Sequence, residues 1–351
     1  MKRRLPVRKA ILERRTYEAP AEGRRGKIRL DFNENTTGCS KAVLGALRRL
    51  SGKELAMYPE YQSAEKILGR YFGVKAKEIV LTNGGDDALR VFFDTFVEPG
   101  SHILICEPTF PMYRYYAEIA GARVEQLQYS REMEFPLAAV LKALRKRPRV
   151  FFLANPNNPT GTLVDKSTIE KILKAAPRTA VVLDEAYADF SGVTCVPWIR
   201  RHPNLFVAKT FSKAAGLAGL RLGAVIAQRD SLAFVRRALP PFPVNVAALA
   251  AGVAAVREGH TIKRYVRDTK RLREWFGGEL KRRKVRVFPS AGNFLLADFG
   301  ESGPAVFRRL AGHGILIRER SKDLGPGFAR IAIGTENELR AFLRILDREG
   351  K

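Results

Sequence analysis

The chain has 351 residues, of which 46% are hydrophobic, and 62 lysines and arginines set against 36 aspartates and glutamates give a net charge of +26. That is too apolar for a disordered chain and long enough for one large and one smaller folded unit. The basic residues are spread over helical-looking stretches such as 264–273 and 281–286. With no nucleic-acid motif beside it, the charge reads as a solvated surface suited to anionic small molecules, with no dedicated nucleic-acid role.

Cys39, Cys106 and Cys195 show no CxxC spacing and the four histidines are scattered, so no metal site is expected and a reducing compartment fits. The charged start runs into no apolar segment of the signal-peptide kind. The most apolar stretch, 244–256, is too short for a bilayer and contains Asn245. A cytoplasmic protein with no membrane role is expected.

Residues 1–27 are basic and irregular, and read as a short helix and an arm. A strand over 28–32 enters the turn-rich Asn33-Glu34-Asn35-Thr36-Thr37-Gly38. A helix over 40–50 takes Ser40 as its N-cap, the Met57-Tyr58-Pro59-Glu60-Tyr61 stretch is an exposed aromatic loop, and a helix over 63–72 stops at Gly73. From there strand and helix signals alternate, which predicts an α/β fold with a mainly parallel sheet. A strand over 78–81 feeds Gly84-Gly85-Asp86 at the start of a helix, where free amides suit a phosphate. A strand over 102–106 leads to Phe110, and one over 150–154 to the proline-fixed Asn155-Pro156-Asn157-Asn158-Pro159-Thr160-Gly161. A strand over 180–183 ends at Asp184-Glu185-Ala186-Tyr187, so a carboxylate stands where open α/β sheets bind ligands.

A strand over 205–208 delivers the stretch on which the rest turns, Lys209-Thr210-Phe211-Ser212-Lys213-Ala214-Ala215-Gly216-Leu217-Ala218-Gly219-Leu220-Arg221. An amine crowded by cations and packing surface is nucleophilic near neutral pH. Two hydroxyls and a guanidinium nearby can hold a phosphate. A strand over 222–227 follows. Pro240-Pro241-Phe242-Pro243 reads as a border, before a helical region over 246–283 with a break or two. Strands over 285–288, 293–298, 314–318 and 328–333, and a helix from Glu336, complete the chain. The expected division is a large unit, residues 33–245, and a small unit, residues 1–32 with 246–351.

The ordered set Asn155 to Gly161, Asp184 to Tyr187 and Thr210 to Lys213 resembles fold-type I pyridoxal-phosphate enzymes, specifically the histidinol-phosphate aminotransferase family, over nearly the whole chain. The resemblance implies pyridoxal 5'-phosphate as cofactor, with Lys213 as its Schiff-base lysine and proton carrier between Cα and C4'. It also implies that Asp184 pairs with the ring nitrogen, Asn158 and Tyr187 with the phenolic oxygen, and that Phe110 stacks on the ring. The phosphate falls to Gly85, Asp86, Thr210, Ser212 and Arg221, with Tyr58 reaching it from the neighbouring subunit of a homodimer with shared sites. Arg330 is implied for the substrate carboxylate and Arg318 for a substrate phosphate, with Asn158 beside them. The substrates so implied are L-histidinol phosphate and 2-oxoglutarate, in histidine biosynthesis. Aromatic amino-acid aminotransferases and threonine-phosphate decarboxylases share the cofactor motifs. A DNA-binding regulator on the same fold would need a helix-turn-helix domain, for which the residues before Leu30 are too few. The family commonly has Pro-Tyr-Gly after Asn-Glu-Asn, and its tyrosine lines the substrate pocket. Here Thr36-Thr37-Gly38 follows, which is expected to affect substrate preference.

Overall fold

A computed structural model describes residues 6–12 and 22–347. Of the arm expected over residues 1–27, residues 1–5 and 13–21 lie outside the described residues, and Lys9–Leu12 forms one helical turn. Strand β1 (Ile28–Leu30) precedes seven strands that build a large sheet: β2 (Ile79–Asn83), β3 (His102–Glu107), β4 (Arg123–Gln128), β5 (Val150–Ala154), β6 (Ala180–Asp184), β7 (Leu205–Thr210) and β8 (Leu222–Ala227). Their order is β2-β8-β7-β6-β5-β3-β4, with β8 antiparallel to both neighbours and every other pair parallel. All strands but β8 therefore end at one edge, and β8 starts there.

Both faces of this sheet are buried. In β5, Phe151 and Leu153 enter one core while Val150, Phe152 and Ala154 enter the other. Covered on both sides, the central strands carry unbroken apolar runs, which is why they are legible in the sequence. The sequence reading contains no strand at β4, whose residues Arg-Val-Glu-Gln-Leu-Gln are half-exposed at the sheet edge. It also lacks the helices Met112–Ala120, Leu137–Leu144, Lys166–Ala175, Arg229–Ala238 and Gly303–Gly312. Arg229–Ala238 has a narrow apolar stripe that buries only Leu232 and Val235, whereas Leu137–Leu144 is apolar at all but one position and shows no helical alternation.

The predicted caps are present. Ser40 accepts from Val43 N at the start of Lys41–Arg48, and Gly73 closes Gln62–Phe72 in the left-handed region at φ 75°. The helical region after the prolines breaks once, at Glu258, between Val246–Arg257 and Gly259–Arg282.

A second sheet is ordered β1-β11-β12-β10-β9, from β9 (Arg286–Val287), β10 (Phe294–Asp298), β11 (Ile315–Glu319) and β12 (Phe328–Ala332) with β1. β1 and β11 are parallel and the remaining pairs antiparallel. Leu295, Ala297, Ile315, Ala329 and Ile331 pack on Phe276, Leu280, Phe307 and Phe342 of three covering helices. Alternation sends the residues between them, among them Arg330, to the opposite face. The boundary expected at 245/246 falls before Val246–Arg257, yet Ala248, Leu249, Ala251 and Ala255 of that helix pack in the core of the large sheet with Leu68 and Leu222. Its packing sides with the large unit.

The ends of β6 and β7 are tied by a buried ion pair. Lys209 Nζ lies 2.5 Å from Glu185 Oε2, with the two side chains 8% and 2% exposed. Thr194 Oγ1 and Cys195 N also donate to Glu185, each at 2.6 Å. Removing one member of such a pair leaves an uncompensated buried charge, whereas apolar replacement of both is far better tolerated. Lys209→Met is expected to cost about 3–5 kcal/mol in a denaturant titration of the holoenzyme, and Glu185→Leu on top of it to recover part of that loss.

Candidate active site

The strand ends of the large sheet surround a cavity of about 350 Å³, whose lining includes Gly85, Asp86, Phe110, Asn158, Asp184, Tyr187, Thr210, Ser212, Lys213 and Arg221. Each comes from a different crossover: Gly85 and Asp86 follow β2, Phe110 follows β3, Asn158 follows β5, Asp184 closes β6, and Lys213 follows β7. Arg221 opens β8, the antiparallel strand, and so meets them at the same edge.

Lys213 Nζ donates to the Phe32 carbonyl at 2.8 Å and stands 5.8 Å from the Tyr187 ring centroid. Tyr187 is buried, accepts a hydrogen bond from Asn33 Nδ2 at 3.0 Å and packs edge-on to Phe294. The cavity floor carries Asp184, with Ala186 N donating to Oδ1 at 3.0 Å and Tyr113 Oη to Oδ2 at 2.7 Å. Burial pushes the Asp184 carboxyl up from its ordinary value, and the bonds from Tyr113 and Ala186 oppose that by favouring the anion. A buried carboxylate of this kind is made for a cationic or N–H donor partner.

Asn158 is presented by a loop fixed from behind. Asn155 exchanges hydrogen bonds with Val164 N and O, while Asn157 accepts from Thr109 Oγ1 and donates to Pro108 O. Asn155 and Asn157 thus serve the loop, leaving Asn158 for the cavity. Phe110 stands edge-on to Tyr113 at 5.9 Å.

At the other end, helix Gly84–Phe96 starts beside Thr210 and Ser212, whose hydroxyls lie 2.9 Å apart and which line the cavity with Gly85 and Asp86. Arg221 adopts a left-handed φ of 55°, a strained conformation for a residue with a side chain. It reaches Asp86 Oδ2 at 2.8 Å. Gly84 beside it has a φ of 81°, a conformation that favours glycine. Helix N-terminus, two hydroxyls and a guanidinium form an anion cup.

Three residues singled out in the sequence do not line this cavity. Tyr58 is 75% exposed and stacks on Phe242 with centroids 4.2 Å apart. Arg330 sits one layer out, 7% exposed, donating through Nη1 to Asn158 Oδ1 at 2.6 Å and through Nη2 to the Asp31 carbonyl. Burial pushes the Arg330 guanidinium down to about 10, with the charges of Arg320 and Arg318 acting in the same direction. Arg318 is the direct register partner of Arg330 across β11 and β12.

Thr36 and Thr37 are likewise outside the cavity. Thr36 Oγ1 donates to Glu338 Oε2 at 2.6 Å, and Thr37 caps Asn35 Oδ1. The expectation that they affect substrate choice therefore finds no side chain of theirs at the pocket wall. That wall is Phe32 and Glu34. Arg24 grips Asp31 and Glu34 with both arms of its guanidinium and lies 4.2 Å over Phe32. Burial opposes the charge on Glu34, but the bonds and charge of Arg24, with Arg29 and Lys213, outweigh it and hold the carboxyl below its usual range.

Sequence reasoning does not reach Tyr113, Asn33 and Glu34. Tyr113 is an interior aromatic of a helix, and only the fold shows its hydroxyl on Asp184. Asn33 and Glu34 open the turn already noted, and their polarity beside a strand end is the signal that marks them.

A slot with an amine at its side, a carboxylate on its floor and an anion cup at its end suits a flat phosphorylated ring bearing a carbonyl and a basic nitrogen. That fit makes the chain a pyridoxal-phosphate enzyme of fold type I. A family model for aminotransferases of class I and II matches residues 25–346, and the chain belongs to that family. It is 33% identical over 327 residues to a histidinol-phosphate aminotransferase of Geobacillus sp. (strain WCH70), covering 91% of this chain and 89% of that one. It is 34% identical to histidinol-phosphate aminotransferase 1 of Carboxydothermus hydrogenoformans, covering 91% and 92%. Among solved structures, the histidinol-phosphate aminotransferase of Sinorhizobium meliloti, in complex with pyridoxal-5'-phosphate, superposes with a TM-score of 0.91 at 25% identity, covering 99% of this chain and 98% of that one. The L-threonine-O-3-phosphate decarboxylase of Porphyromonas gingivalis gives 0.80 at 25% identity, covering 92% and 98%.

Proposed function

We propose that the chain transfers the amino group of L-histidinol phosphate to 2-oxoglutarate, forming imidazole acetol phosphate and L-glutamate. The observation that carries this reading is the pairing of Arg318 and Arg330 directly across β11 and β12, on the face that reaches Asn158 at the cavity. Two guanidiniums there favour a phosphorylated or dianionic substrate. The names of the relatives point the same way.

Pyridoxal 5'-phosphate, when bound, supplies a protonated ring that accepts the electron pair left at the substrate Cα. The protein's part is electrostatic and positional. Asp184 keeps a cation at the ring-nitrogen position, and Tyr113 and Ala186 keep Asp184 ionised. Asn158 and Tyr187 would offer donors to the phenolic oxygen, and Phe110 would pack against the ring. Gly85 and Asp86 amides, Thr210, Ser212 and Arg221 hold the phosphate. Lys213 Nζ, held in the cavity by its bond to the Phe32 carbonyl, would be the group that carries the substrate's Cα proton. Arg330 holds the carboxylate of glutamate and Arg318 the phosphate of the amine.

The same reading includes a cytoplasmic homodimer. The exposed Tyr58–Phe242 stack, beside the exposed Leu55 and Met57, offers the apolar surface through which Tyr58 meets the cup of a second copy. Among the described residues no helix is long and apolar enough to cross a membrane. The proposed division keeps a large unit over residues 33–245, to which the helix Val246–Arg257 is added by its packing, and a small unit built on the second sheet.

A half-reaction on purified holoenzyme tests the substrate. Histidinol phosphate, phenylalanine, tyrosine and threonine phosphate are offered separately, and loss of the bound-cofactor absorbance is followed. Rapid conversion by histidinol phosphate alone is expected. Preference for the aromatic acids, or carbon dioxide release from threonine phosphate, would replace the assignment.

A further inference from the structure

On the face of the small sheet that carries Arg330 toward Asn158, β11 and β12 set three arginines together. Arg318 and Arg330 are register partners. Arg320, two residues on, projects from the same face, because side chains alternate and the ladder continues through its amide to Phe328 O at 2.8 Å. Like charges so placed repel, and buried ones need a counter-ion.

The counter-ions are too few. Arg330 bonds only two neutral acceptors, Asn158 Oδ1 and the Asp31 carbonyl, and its Nε is buried with no hydrogen-bond partner. The Arg318 side chain has no carboxylate partner among the described residues. Arg320 is 12% exposed, its Nε is also buried without a partner, and among the described residues its direct ion pair is with Asp323 in the β11–β12 connection. Three cations thus share one directly ion-paired carboxylate, Asp323; Glu107 lies within electrostatic reach of Arg320 and Asp31 of Arg330, the latter already paired with Arg24, and two buried guanidinium N–H groups are unused.

We propose that Arg320 is a specificity-determining residue for the substrate's anionic end, completing with Arg318 and Arg330 a site for a phosphate dianion that displaces Asp323. The exchange explains selectivity. A monocarboxylate taking the place of Asp323 swaps one negative charge for another and gains nothing. A phosphate monoester brings two charges and three acceptor oxygens to three guanidiniums, and so outcompetes the internal carboxylate. Arg320 therefore separates phosphorylated amines from ordinary amino acids, while Asp323 keeps the guanidinium in place between turnovers. The inference rests on the reading of this cavity as an aminotransferase site, and does not depend on which phosphorylated amine is used.

The test uses holoenzyme with inorganic phosphate as the probe, competing against the L-glutamate half-reaction. Competitive inhibition is expected of the unaltered protein. In Arg320→Met the inhibition constant for phosphate should rise about tenfold more than the apparent dissociation constant of L-glutamate, as loss of a forked charge-assisted contact implies. Asp323→Asn, which frees Arg320, should move the phosphate constant the other way, severalfold tighter. Opposite signs from the two members of one ion pair are not produced by a merely structural bridge. No inhibition of the unaltered protein, an unchanged constant in Arg320→Met, or shifts of the same sign in both variants would each overturn the proposal. If phosphate behaves as expected but histidinol phosphate is not converted, the choice of amine fails and the anion site stands. If histidinol phosphate is converted and phosphate inhibition ignores Arg320, the anion site fails alone.

Discussion

Lys213→Ala is expected to lower turnover by about 10⁴-fold or more, because in the proposed reaction one side chain supplies both the nucleophile and the acid–base group. Its amine is placed for this by two strand ends: β7 delivers it, and the Phe32 carbonyl after β1 holds Nζ at 2.8 Å on the open side of the slot. Three comparisons in the same preparation separate mechanism from folding. The melting temperature should stay within a few degrees, since Lys213 is partly exposed and its one hydrogen bond is to a carbonyl at the cavity wall. Absorbance of the bound cofactor should change, and an added primary amine should restore part of the rate. A variant that turns over normally would remove Lys213 from the reaction.

Asp184→Asn is expected to reduce turnover by about 10²- to 10³-fold with the fold intact, the range seen when one preorganised charge is removed from a site. The substitution keeps the shape and the bond from Ala186 N but removes the charge that holds a proton at the ring nitrogen. Tyr113 gives the claim a finer test. Burial raises the Asp184 carboxyl, and the Tyr113 hydroxyl works against that by bonding the anion at 2.7 Å. Tyr113→Phe therefore lets the carboxyl rise further. The acid limb of the rate profile should shift to higher pH, with activity largely kept at alkaline pH. A shift to lower pH would show that the hydroxyl does not favour the anion.

Much of the fold is legible where the chain is buried on both sides. β5 and β8 begin and end at their predicted residues, because a strand between two helix layers must be apolar throughout. The half-exposed β4 and a narrow-striped helix such as Arg229–Ala238 carry no comparable signal. The cofactor end of the site is legible for a related reason. Its residues sit in short loops with fixed spacing from strand ends, such as Asn158 four residues past β5 and Lys213 three past β7. Positions created only by packing across the chain are not. Tyr113, which meets Asp184 from 71 residues away, is the example. Pro240-Pro241-Phe242-Pro243 marks a border in the sequence, whereas the helix beyond it packs into the core of the large sheet.

The central claim is that Lys213, and no other lysine, anchors the cofactor in this cavity. Borohydride reduction of the holoenzyme, followed by proteolysis and mass spectrometry, addresses it directly. The cofactor should be found fixed to the peptide containing Thr210-Phe211-Ser212-Lys213, on Lys213 alone. Attachment to Lys209 or another lysine, or a reduced protein carrying no cofactor, would contradict the account.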